Sequence, residues 1–439
     1  MSLFDGGRGR GQVTPGRNSV VSVLDIGSSK ITCMIAKLSP ADHAEAMPGR
    51  THKIQIIGVG HQRARGVKAG AVVDIDKAER AIRLAVDAAE RMARYTIDQL
   101  IVSVSAGRMA SSAFSAKVPL GGPEVTEGDI GRVLAAGRQH SVVRGRTTVH
   151  SLPIGYALDG HRGIKDPRGM MGQELGVDMH VVTADEAPID NLELCINRCH
   201  LSIGATVSSP YASGLATLVD DEADLGVVAI DMGAATTTMA VFLDGQFIHT
   251  DAVMVGGHHI TTDIARGLST SVEAAERLKV LSGSALTTSA DDAELMLVPP
   301  LGDEERDAPN RVPRSVLNRI IRARVEEILE IVRDRLNDSG FAALVGRRIV
   351  LTGGTSQLNG LAEMARRVLA RNVRLGRPLG ISGLPEIYRG PGFATTAGML
   401  IYPQFGGIER VARQSPAAAR ANGTTGYLGR VGRWIKESF

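Results

Sequence analysis

The sequence predicts a duplicated α/β fold of two related lobes, with a small α+β subdomain inserted into the first lobe. Two segments share one pattern: an apolar strand ending in Asp, then an apolar residue, Gly and two small residues, with Thr seven residues after the Asp. One copy begins at Asp25 and the other at Asp231, in the two halves of the chain. This separation is far longer than a solenoid repeat, so it indicates that a whole α/β domain was duplicated.

Size and composition limit the class of protein. With 439 residues the chain is too long for one compact core. A net charge of +3 argues against a general nucleic-acid binder. The three cysteines are too few for a disulfide framework, which favours a reducing compartment. The polar N-terminus and the lack of a long apolar run predict a protein that stays in the cytoplasm.

The order of patterns along the chain predicts the domain boundaries. Residues 1–17 are rich in Gly and Arg, and we expect them to be disordered. Short β-like pieces with many glycines at 103–182 are typical of an inserted subdomain, and 271–344 are largely helical. Residues 403–426 form a linker rich in Ala, Gly, Ser and Thr. The expected first lobe is 18–102 with 183–225, the second lobe is 226–270 with 345–402, and an amphipathic helix occupies 427–439.

The two strand–Asp–x–Gly turns are candidate phosphate-binding loops. Gly and small residues let the backbone approach a phosphate closely, and successive N–H groups form a concave anion site. An Asp at the end of the strand suits Mg²⁺, usually through water. One such turn is usually only a tight connection, but two in register favour a shared ligand. A third glycine loop, Thr352–Ser356, follows the apolar run Arg348–Leu351, whereas no Gly-Lys pair of a Walker A loop occurs.

These loops resemble the phosphate-1, phosphate-2 and adenosine motifs of the actin/Hsp70/sugar-kinase superfamily. Glu276–Lys279 resembles its helix that presents Glu and Lys to the ribose and base, and Val255–Ala265 its turn and helix after phosphate-2. Phe393–Gly398 resembles its second connecting helix. The resemblance implies actin-like (RNase H-like) domains around a nucleotide cleft that holds ATP and Mg²⁺, with Asp25 and Asp231 as the metal-binding residues. The ATP-binding residues that it implies are Asp25, Gly27, Ser28, Ser29, Lys30, Asp231, Gly233, Ala234, Ala235, Thr236, Gly256, Gly257, Glu276, Lys279, Gly353, Gly354 and Thr355.

The inserted region indicates a branch of this superfamily. Gly163–Met170 and Val181–Ala184 resemble the FtsA family of bacterial cell-division proteins, and the likeness extends from about Val20 to Tyr402. It implies a protein that polymerises like actin and tethers the tubulin-like GTPase FtsZ to the cytoplasmic face of the inner membrane. The implied location is the division septum, with other division-ring proteins as partners and no nucleic acid. The FtsZ contact is expected within residues 271–345.

Two departures from the superfamily pattern affect the expected chemistry. Ala234-Ala235 stand where phosphate-2 usually has Gly-Gly, which changes how closely the backbone approaches the phosphates. Ser209 stands where Hsp70 proteins have a catalytic Glu before Pro. Without a carboxylate there, no general base is evident to activate water. We therefore expect slow ATP hydrolysis at most and predict no catalytic residue.

The C-terminal segment has the pattern of an interfacial membrane helix. At about 100° per residue, its apolar residues fall on one face and its basic residues on the other. Trp and Phe opposite Lys and Arg are typical of helices that lie on an anionic membrane. Docking of this helix on the protein's own core is the alternative. The predicted membrane-binding residues are Leu428, Arg430, Val431, Arg433, Trp434, Ile435, Lys436 and Phe439.

Two other functions remain open from the sequence. A small-molecule kinase of the same superfamily needs an Asp base beside a substrate pocket, and its ATP turnover depends on one metabolite. An adaptor of pilus assembly similar to PilM binds a short segment of a membrane partner instead of lipid. The apolar face around Trp434 weighs against the pilus adaptor.

Overall fold

The structure is a computed structural model that describes residues 18–41, 50–139, 143–301 and 309–405. The predicted disordered segment 1–17, most of the predicted linker and the predicted membrane helix 427–439 lie outside the described residues. All eight predicted membrane-binding residues fall in that last segment.

The first lobe is built on a six-stranded sheet whose strands are, in spatial order, β11 (Ser202–Ser208), β6 (Gln99–Val104), β1 (Ser19–Ile26), β2 (Lys30–Pro40), β3 (His52–Arg63) and β19 (Ile381–Ser382). The central strand β1 carries β-branched and apolar residues on both faces, because helices or other elements cover both sides of the sheet. Val21 and Val23 point into one core, and Leu24 and Ile26 into the other. The elements before the inserted subdomain are β1 (Ser19–Ile26), β2 (Lys30–Pro40), β3 (His52–Arg63), β4 (Val67–Lys68), β5 (Ala71–Val72), α1 (Ile75–Ala93) and β6 (Gln99–Val104).

The first helix packs closely on β3. The Asp74 side chain caps it by accepting a hydrogen bond from the Lys77 N–H at 3.1 Å, and its Ala-rich face is buried. Gly58 and Gly60 on β3 lie against it, and a Cβ at either position would overlap the α1 backbone. These two glycines therefore serve helix–sheet packing.

The inserted subdomain is a four-stranded antiparallel sheet covered by one helix. Its strand order is β7-β10-β8-β9, and α2 packs on β7 and β10. The subdomain has its own core, which includes Val133, Leu175 and Met179. Its elements are β7 (Ala110–Pro119), α2 (Glu127–Gln139), β8 (Arg146–Leu158), β9 (His161–Ile164) and β10 (Glu174–Asp185). The chain then returns to the first lobe through α3 (Glu186–Arg198), β11 (Ser202–Ser208), α4 (Ser209–Thr217) and α5 (Asp220–Leu225).

The second lobe repeats the first around a five-stranded sheet with strand order β14-β13-β12-β17-β18. A helical subdomain with a two-stranded sheet lies between β14 and β17 and shares the lobe's core. Its long helix α8 buries an apolar stripe from Leu317 to Leu336. The elements are β12 (Val227–Met232), β13 (Thr237–Leu243), β14 (Gln246–Val253), α6 (Gly257–Gly267), α7 (Val272–Ser282), β15 (Leu295–Val298), β16 (Asn310–Pro313), α8 (Arg314–Asp338), β17 (Arg348–Thr352), α9 (Leu361–Leu369), β18 (Asn372–Leu375), β19 (Ile381–Ser382) and α10 (Ala394–Ile401).

The strand pairings confirm the predicted duplication. In each lobe the first strand is antiparallel to the second and parallel to the strand on its other side. The register also matches, because Asp25 pairs with Thr32 and Asp231 pairs with Thr238. The spacing from Asp to Thr in the sequence thus reflects one hairpin geometry, which forms once in each lobe.

Two helices cross between the lobes, and the second of them is the one that the resemblance implies. Helix α4 begins where β11 ends, and α10 packs directly against it. A Cβ at Gly398 would overlap the carbonyl oxygen of Ala212, so the crossing depends on glycine at this position. Among the described residues, no helix is both long and apolar enough to cross a membrane.

Two predicted boundaries are wrong in detail. The second lobe was predicted to include 345–402, but β19 pairs in parallel with β3 of the first sheet. The chain therefore crosses back to the first lobe before α10 begins. The linker was predicted from residue 403, but Tyr402–Gln404 form a 3₁₀ turn, and the Gln404 side chain accepts hydrogen bonds from the N–H groups of Thr51 and His52.

Candidate nucleotide site

Hydroxyl groups from other segments hold the aspartate of the first loop. Asp25 is the second-last residue of β1, and its Oδ1 accepts a hydrogen bond from the Ser103 hydroxyl at 2.8 Å. Its Oδ2 accepts one from the Thr396 hydroxyl at 3.1 Å. Ser103 lies on β6 and Thr396 on α10, so this carboxylate joins the first sheet to a connecting helix.

The aspartate of the second loop is held in the same way. Oδ2 of Asp231 accepts hydrogen bonds from the hydroxyls of Ser213 on α4 and Thr395 on α10, the second at 3.0 Å. The two hydroxyls also contact each other at 2.8 Å. Both connecting helices therefore meet at the second aspartate, and neighbouring threonines of α10 bind the two lobes' aspartates.

Burial sets the electrostatics of this region. It raises the pKa of the Asp25 carboxyl and that of the Asp231 carboxyl, and the charge of Asp25 raises the Asp231 pKa further. Burial also lowers the pKa of Lys30, while the two aspartates oppose that shift. The Lys30 Nζ lies 3.6 Å from the centre of the Phe393 ring, a cation–π contact. Two carboxylates and one lysine thus converge between the lobes.

Both glycine turns have the same backbone geometry. The Gly27 N–H donates to the Lys30 carbonyl at 3.0 Å, and the Gly233 N–H donates to the Thr236 carbonyl at 2.9 Å. Ser29 is exposed at the tip of the first turn, and the Ser28 hydroxyl accepts a hydrogen bond from the Gly70 N–H at 3.2 Å. Each hairpin therefore presents a short loop of small residues beside its aspartate.

The second loop is joined to the start of α6 and to the third glycine loop. The N–H groups of Gly257 and His258 donate to the carbonyls of Gly233 and Ala234, at 3.0 and 2.6 Å. The Thr355 hydroxyl also donates to the Gly233 carbonyl, at 2.8 Å. A Cβ at Gly256 would press on the backbone of the same loop. This wall of the site is therefore one hydrogen-bonded unit made from three segments.

The third glycine loop has one position that requires glycine and one position that has free space beside its backbone. Gly353 has φ +87°, and a Cβ there would overlap Oδ1 of Asp231. A Cβ at Gly354 would meet nothing within 4 Å. The backbone at Gly354 is thus bare, as close approach to a flat ligand requires.

Glu276 and Lys279 lie on α7 beside this wall. Their side chains form an ion pair at 2.7 Å. The Lys279 ammonium also donates to the Gly257 carbonyl at 3.2 Å and to the Thr261 hydroxyl at 2.9 Å, and that hydroxyl donates to Glu276. The pair therefore fixes α7 against the start of α6, next to the glycine loops.

The residues present fit a hydrated cation between the aspartates. The hydroxyl oxygens of Thr32 and Thr238 are buried and have no hydrogen-bond partner within the described residues. Each Thr pairs directly with an aspartate across its hairpin, so the two side chains share one face of the sheet. A buried hydroxyl without a partner costs free energy, and ordered water around Mg²⁺ would satisfy it.

The position at which Hsp70 proteins have their catalytic Glu carries no carboxylate in this chain. Ser209 is the first residue of α4 and is 8% exposed. The backbone N–H of the preceding Ser208 donates to Nε2 of His150 at 2.8 Å. His150 lies on β8, so the inserted subdomain contacts the connecting helix beside this position.

The sequence predicts the loops but not the hydroxyl groups that hold their aspartates. The aspartates, the glycine turns and the Glu276–Lys279 pair lie around one region of the structure, and their role in binding ATP stays a prediction. The hydroxyls that hold the carboxylates were not predicted, because Ser and Thr are common in helices and strands. The one available signal was Thr395-Thr396, which lies inside the segment predicted as the second connecting helix.

Comparison with known proteins identifies the family. The sequence profile of the cell division protein FtsA matches residues 228–398, and that of the SHS2 domain inserted in FtsA matches residues 106–183. The FtsA of Agrobacterium fabrum is 57% identical over 423 residues, which cover 96% of each chain. The chain belongs to the FtsA family.

More distant relatives give the same result. The FtsA of Neisseria meningitidis serogroup B is 34% identical over 95% of this chain and 98% of its own length. The solved PilM–PilN type IV pilus biogenesis complex contains a similar fold, with TM-score 0.59 and 15% identity over 88% of this chain and 98% of that chain. The predicted duplicated actin-like fold with an FtsA-type insert is confirmed, and family membership gives the chain a role in cell division with other division-ring proteins.

Proposed function

We propose that this FtsA-family protein binds ATP with Mg²⁺ and tethers FtsZ filaments to the cytoplasmic membrane at the division septum. The observation that carries the proposal is the convergence of Asp25 and Asp231, one from each lobe, beside bare glycine backbone. Asp25 and Asp231 would hold Mg²⁺ through water, and the loops that follow Gly27 and Gly233 would hold phosphates by backbone N–H groups. The metal would neutralise phosphate charge.

The nucleotide acts as a conformational switch in this proposal. The phosphates would lie against loops from both lobes, so binding favours one arrangement of the lobes. Helix α10 contacts both aspartates through Thr395 and Thr396, so the switch reaches the connecting helices directly. With Ser209 in place of a general base, ATP persists long enough to support assembly of an actin-like polymer.

The helical subdomain of the second lobe supplies a surface for FtsZ. Leu295 and Leu297 are exposed on β15, at 58% and 61%, while the alternate residues Met296 and Val298 are buried. Leu281 at the end of α7 is 82% exposed. An apolar surface on a short two-stranded sheet suits a short segment of a partner, as do other peptide-binding sheets.

Binding of FtsZ tests this surface. We expect Leu297→Glu to weaken binding of FtsZ by tenfold or more in a pull-down titration, because it places a charge in the apolar contact. The matched control is Leu84→Glu, since Leu84 is 47% exposed on α1 of the first lobe. Equal losses in both variants would contradict the assignment of FtsZ to the 271–345 region.

The membrane contact is assigned to the amphipathic segment 427–439. The structure describes the chain as far as Phe405, which follows the 3₁₀ turn after α10. Helix α10 starts at the aspartates, and the described chain ends beside Thr51 and His52 of the first lobe. A tether that starts there leaves the nucleotide cleft and the exposed face of β15 free to bind.

Co-sedimentation with anionic liposomes, with ATP and Mg²⁺, tests the tether. We expect Trp434→Glu to abolish most of the liposome binding while ATP binding is retained, because the charge removes the apolar anchor of the helix. Unchanged liposome binding would show that the helix is structural. A strong stimulation of ATP turnover by one metabolite would instead favour a kinase.

A further inference from the structure

A cavity of about 590 Å³ lies at the base of the second lobe. We call this end the base because β17 runs from Arg348 to Thr352, towards the third glycine loop, and the cavity lies before its first residue. The walls come from the last turns of α8, the loop before β17, the end of α9 and the turn before β18. The residues that matter here are Arg333, Leu336, Val345, Arg347, Leu369 and Arg371.

The charge of this cavity is all of one sign. Three arginines line it, and none of the lining residues is acidic. Arg347 and Arg371 are close enough that the charge of Arg347 adds to burial in lowering the pKa of Arg371. Holding like charges together costs free energy, and an anion in the cavity would recover it.

The three arginines make different contacts with the rest of the fold. Arg371 builds the cavity, because its Nη1 and Nη2 donate to the carbonyls of Gly346 and Ala342, at 2.7 and 2.6 Å. Arg333 lies near the C-terminal end of α8, where a cation is favourable, and pairs with the adjacent Asp334 at 3.0 Å. Arg347 is exposed and makes no side-chain hydrogen bond or ion pair within residues 18–41, 50–139, 143–301 and 309–405.

We propose that this cavity binds the phosphate group of an anionic lipid headgroup. Guanidinium groups match phosphate oxygens in shape and charge, and the apolar walls of Leu336, Val345 and Leu369 accommodate the uncharged part of a headgroup. The choice of lipid follows from the proposed tether, since the described chain stops at Phe405 and an anchor at 427–439 keeps the folded part within reach of an anionic bilayer. This step rests on the proposed tether, which brings the base close to the bilayer.

We expect each arginine to contribute moderately to the affinity for the membrane, and we expect the contributions to the binding free energy to add. A basic residue near an anionic leaflet contributes enough for about a fivefold change in affinity. The terminal helix and the cavity would act together on one membrane, so each raises the effective concentration of the other. The cavity would then also set how the folded part is oriented on the bilayer.

The experiment is vesicle flotation of the full chain on mixtures of phosphatidylglycerol and phosphatidylcholine. We expect the double variant Arg333→Ala/Arg347→Ala to bind about 25-fold more weakly than the wild type, from fivefold for each arginine. The matched control is Arg277→Ala/Arg367→Ala, which removes the same charge from exposed helical arginines that pair with Glu273 and Glu363. Arg371 is left in place because it holds the loop, and equal melting temperatures verify folding.

The outcomes separate this proposal from the tether. Loss of binding in the cavity variant but not in its control supports the cavity, even if Trp434→Glu binds normally. Loss of binding in Trp434→Glu alone leaves the tether intact and overturns the cavity. In a third outcome, inorganic phosphate raises the melting temperature of the wild type but not that of the Arg333→Ala/Arg347→Ala variant, while both proteins bind vesicles equally. The site then takes soluble phosphate, and the lipid assignment is overturned.

Discussion

Asp25 and Asp231 are equivalent residues of the two lobes, yet their partners are not equivalent. Asp25 is bonded to a strand of its own sheet and to Thr396, whereas Asp231 is bonded to Ser213 and Thr395 on both connecting helices. The second aspartate is therefore the more tightly coupled to the crossing of the helices. Single residues at that crossing are correspondingly sensitive.

We predict that Gly398→Ala destabilises the protein by about 1–3 kcal/mol or more, as overpacking does. The added Cβ would overlap the Ala212 carbonyl oxygen, which belongs to rigid helix backbone. The control is Gly131→Ala in α2, where a Cβ meets nothing within 4 Å and helix propensity favours Ala. Urea unfolding measures both, and equal midpoints would contradict the close crossing.

At the scale of elements, the inserted subdomain contacts the second lobe as well as the first. Nδ1 of His180 on β10 donates to the Phe247 carbonyl on β14 at 2.8 Å, and the Ser111 hydroxyl contacts its Nε2 at 2.6 Å. Ser111 also accepts a hydrogen bond from the Thr250 N–H on β14 at 3.3 Å. A pair of strands from the insert is thus bonded to the edge strand of the second sheet.

This contact predicts a dependence of stability on pH. Burial lowers the pKa of His180 to about 3, with His249 and His150 nearby, and it lowers the pKa of His249 to about 4. The folded protein therefore resists protonation that the unfolded chain accepts below about pH 6.5. The stabilising contribution is complete above that pH and is lost as the pH falls towards 4 and 3.

His180→Gln tests this prediction. Glutamine keeps a hydrogen-bonding side chain but does not titrate, so we expect the free energy of unfolding to fall less steeply between pH 6.5 and 4. The control is His161→Gln, since His161 is exposed on β9. The same slope in His180→Gln and the wild type, by urea unfolding at each pH, would contradict the role of the buried histidine.

At the scale of the whole molecule, the candidate site belongs to neither lobe alone. The first sheet supplies Asp25 and Lys30, the second supplies Asp231, and α10 joins them. A ligand that contacts both loops would stabilise the arrangement of the lobes as well as each lobe. Thermal stability in the presence of nucleotide therefore reports on the site as a unit.

We predict that ATP with Mg²⁺ raises the melting temperature of the wild type, by linkage equivalent to about 2.7 kcal/mol when ATP is at 100 times its Kd. Asp231→Asn should lose most of this gain, because it removes a charge that would hold the metal. Asp244→Asn is the control, as Asp244 lies in the β13–β14 turn with φ 52°, which Asn tolerates. An equal gain in Asp231→Asn and in the control would count against the site.

The sequence by itself determined the duplication and the three glycine loops, because each depends on local spacing along one strand and its turn, and it indicated the family through the resemblance of its inserted region. The Asp-to-Thr spacing fits one hairpin geometry, so it could be detected twice without knowing how the lobes meet. The pattern of apolar residues likewise predicted the largely helical segment that contains α7 and α8.

Only the tertiary structure decided which distant residues hold the aspartates, that β19 joins the first sheet, and that Arg333, Arg347 and Arg371 share a cavity. These contacts link residues far apart in the chain, such as Asp25 with Thr396. Serine, threonine and arginine are also common enough that no local pattern marks the ones that meet. Long-range contacts depend on how the elements pack, and packing is a property of the whole fold.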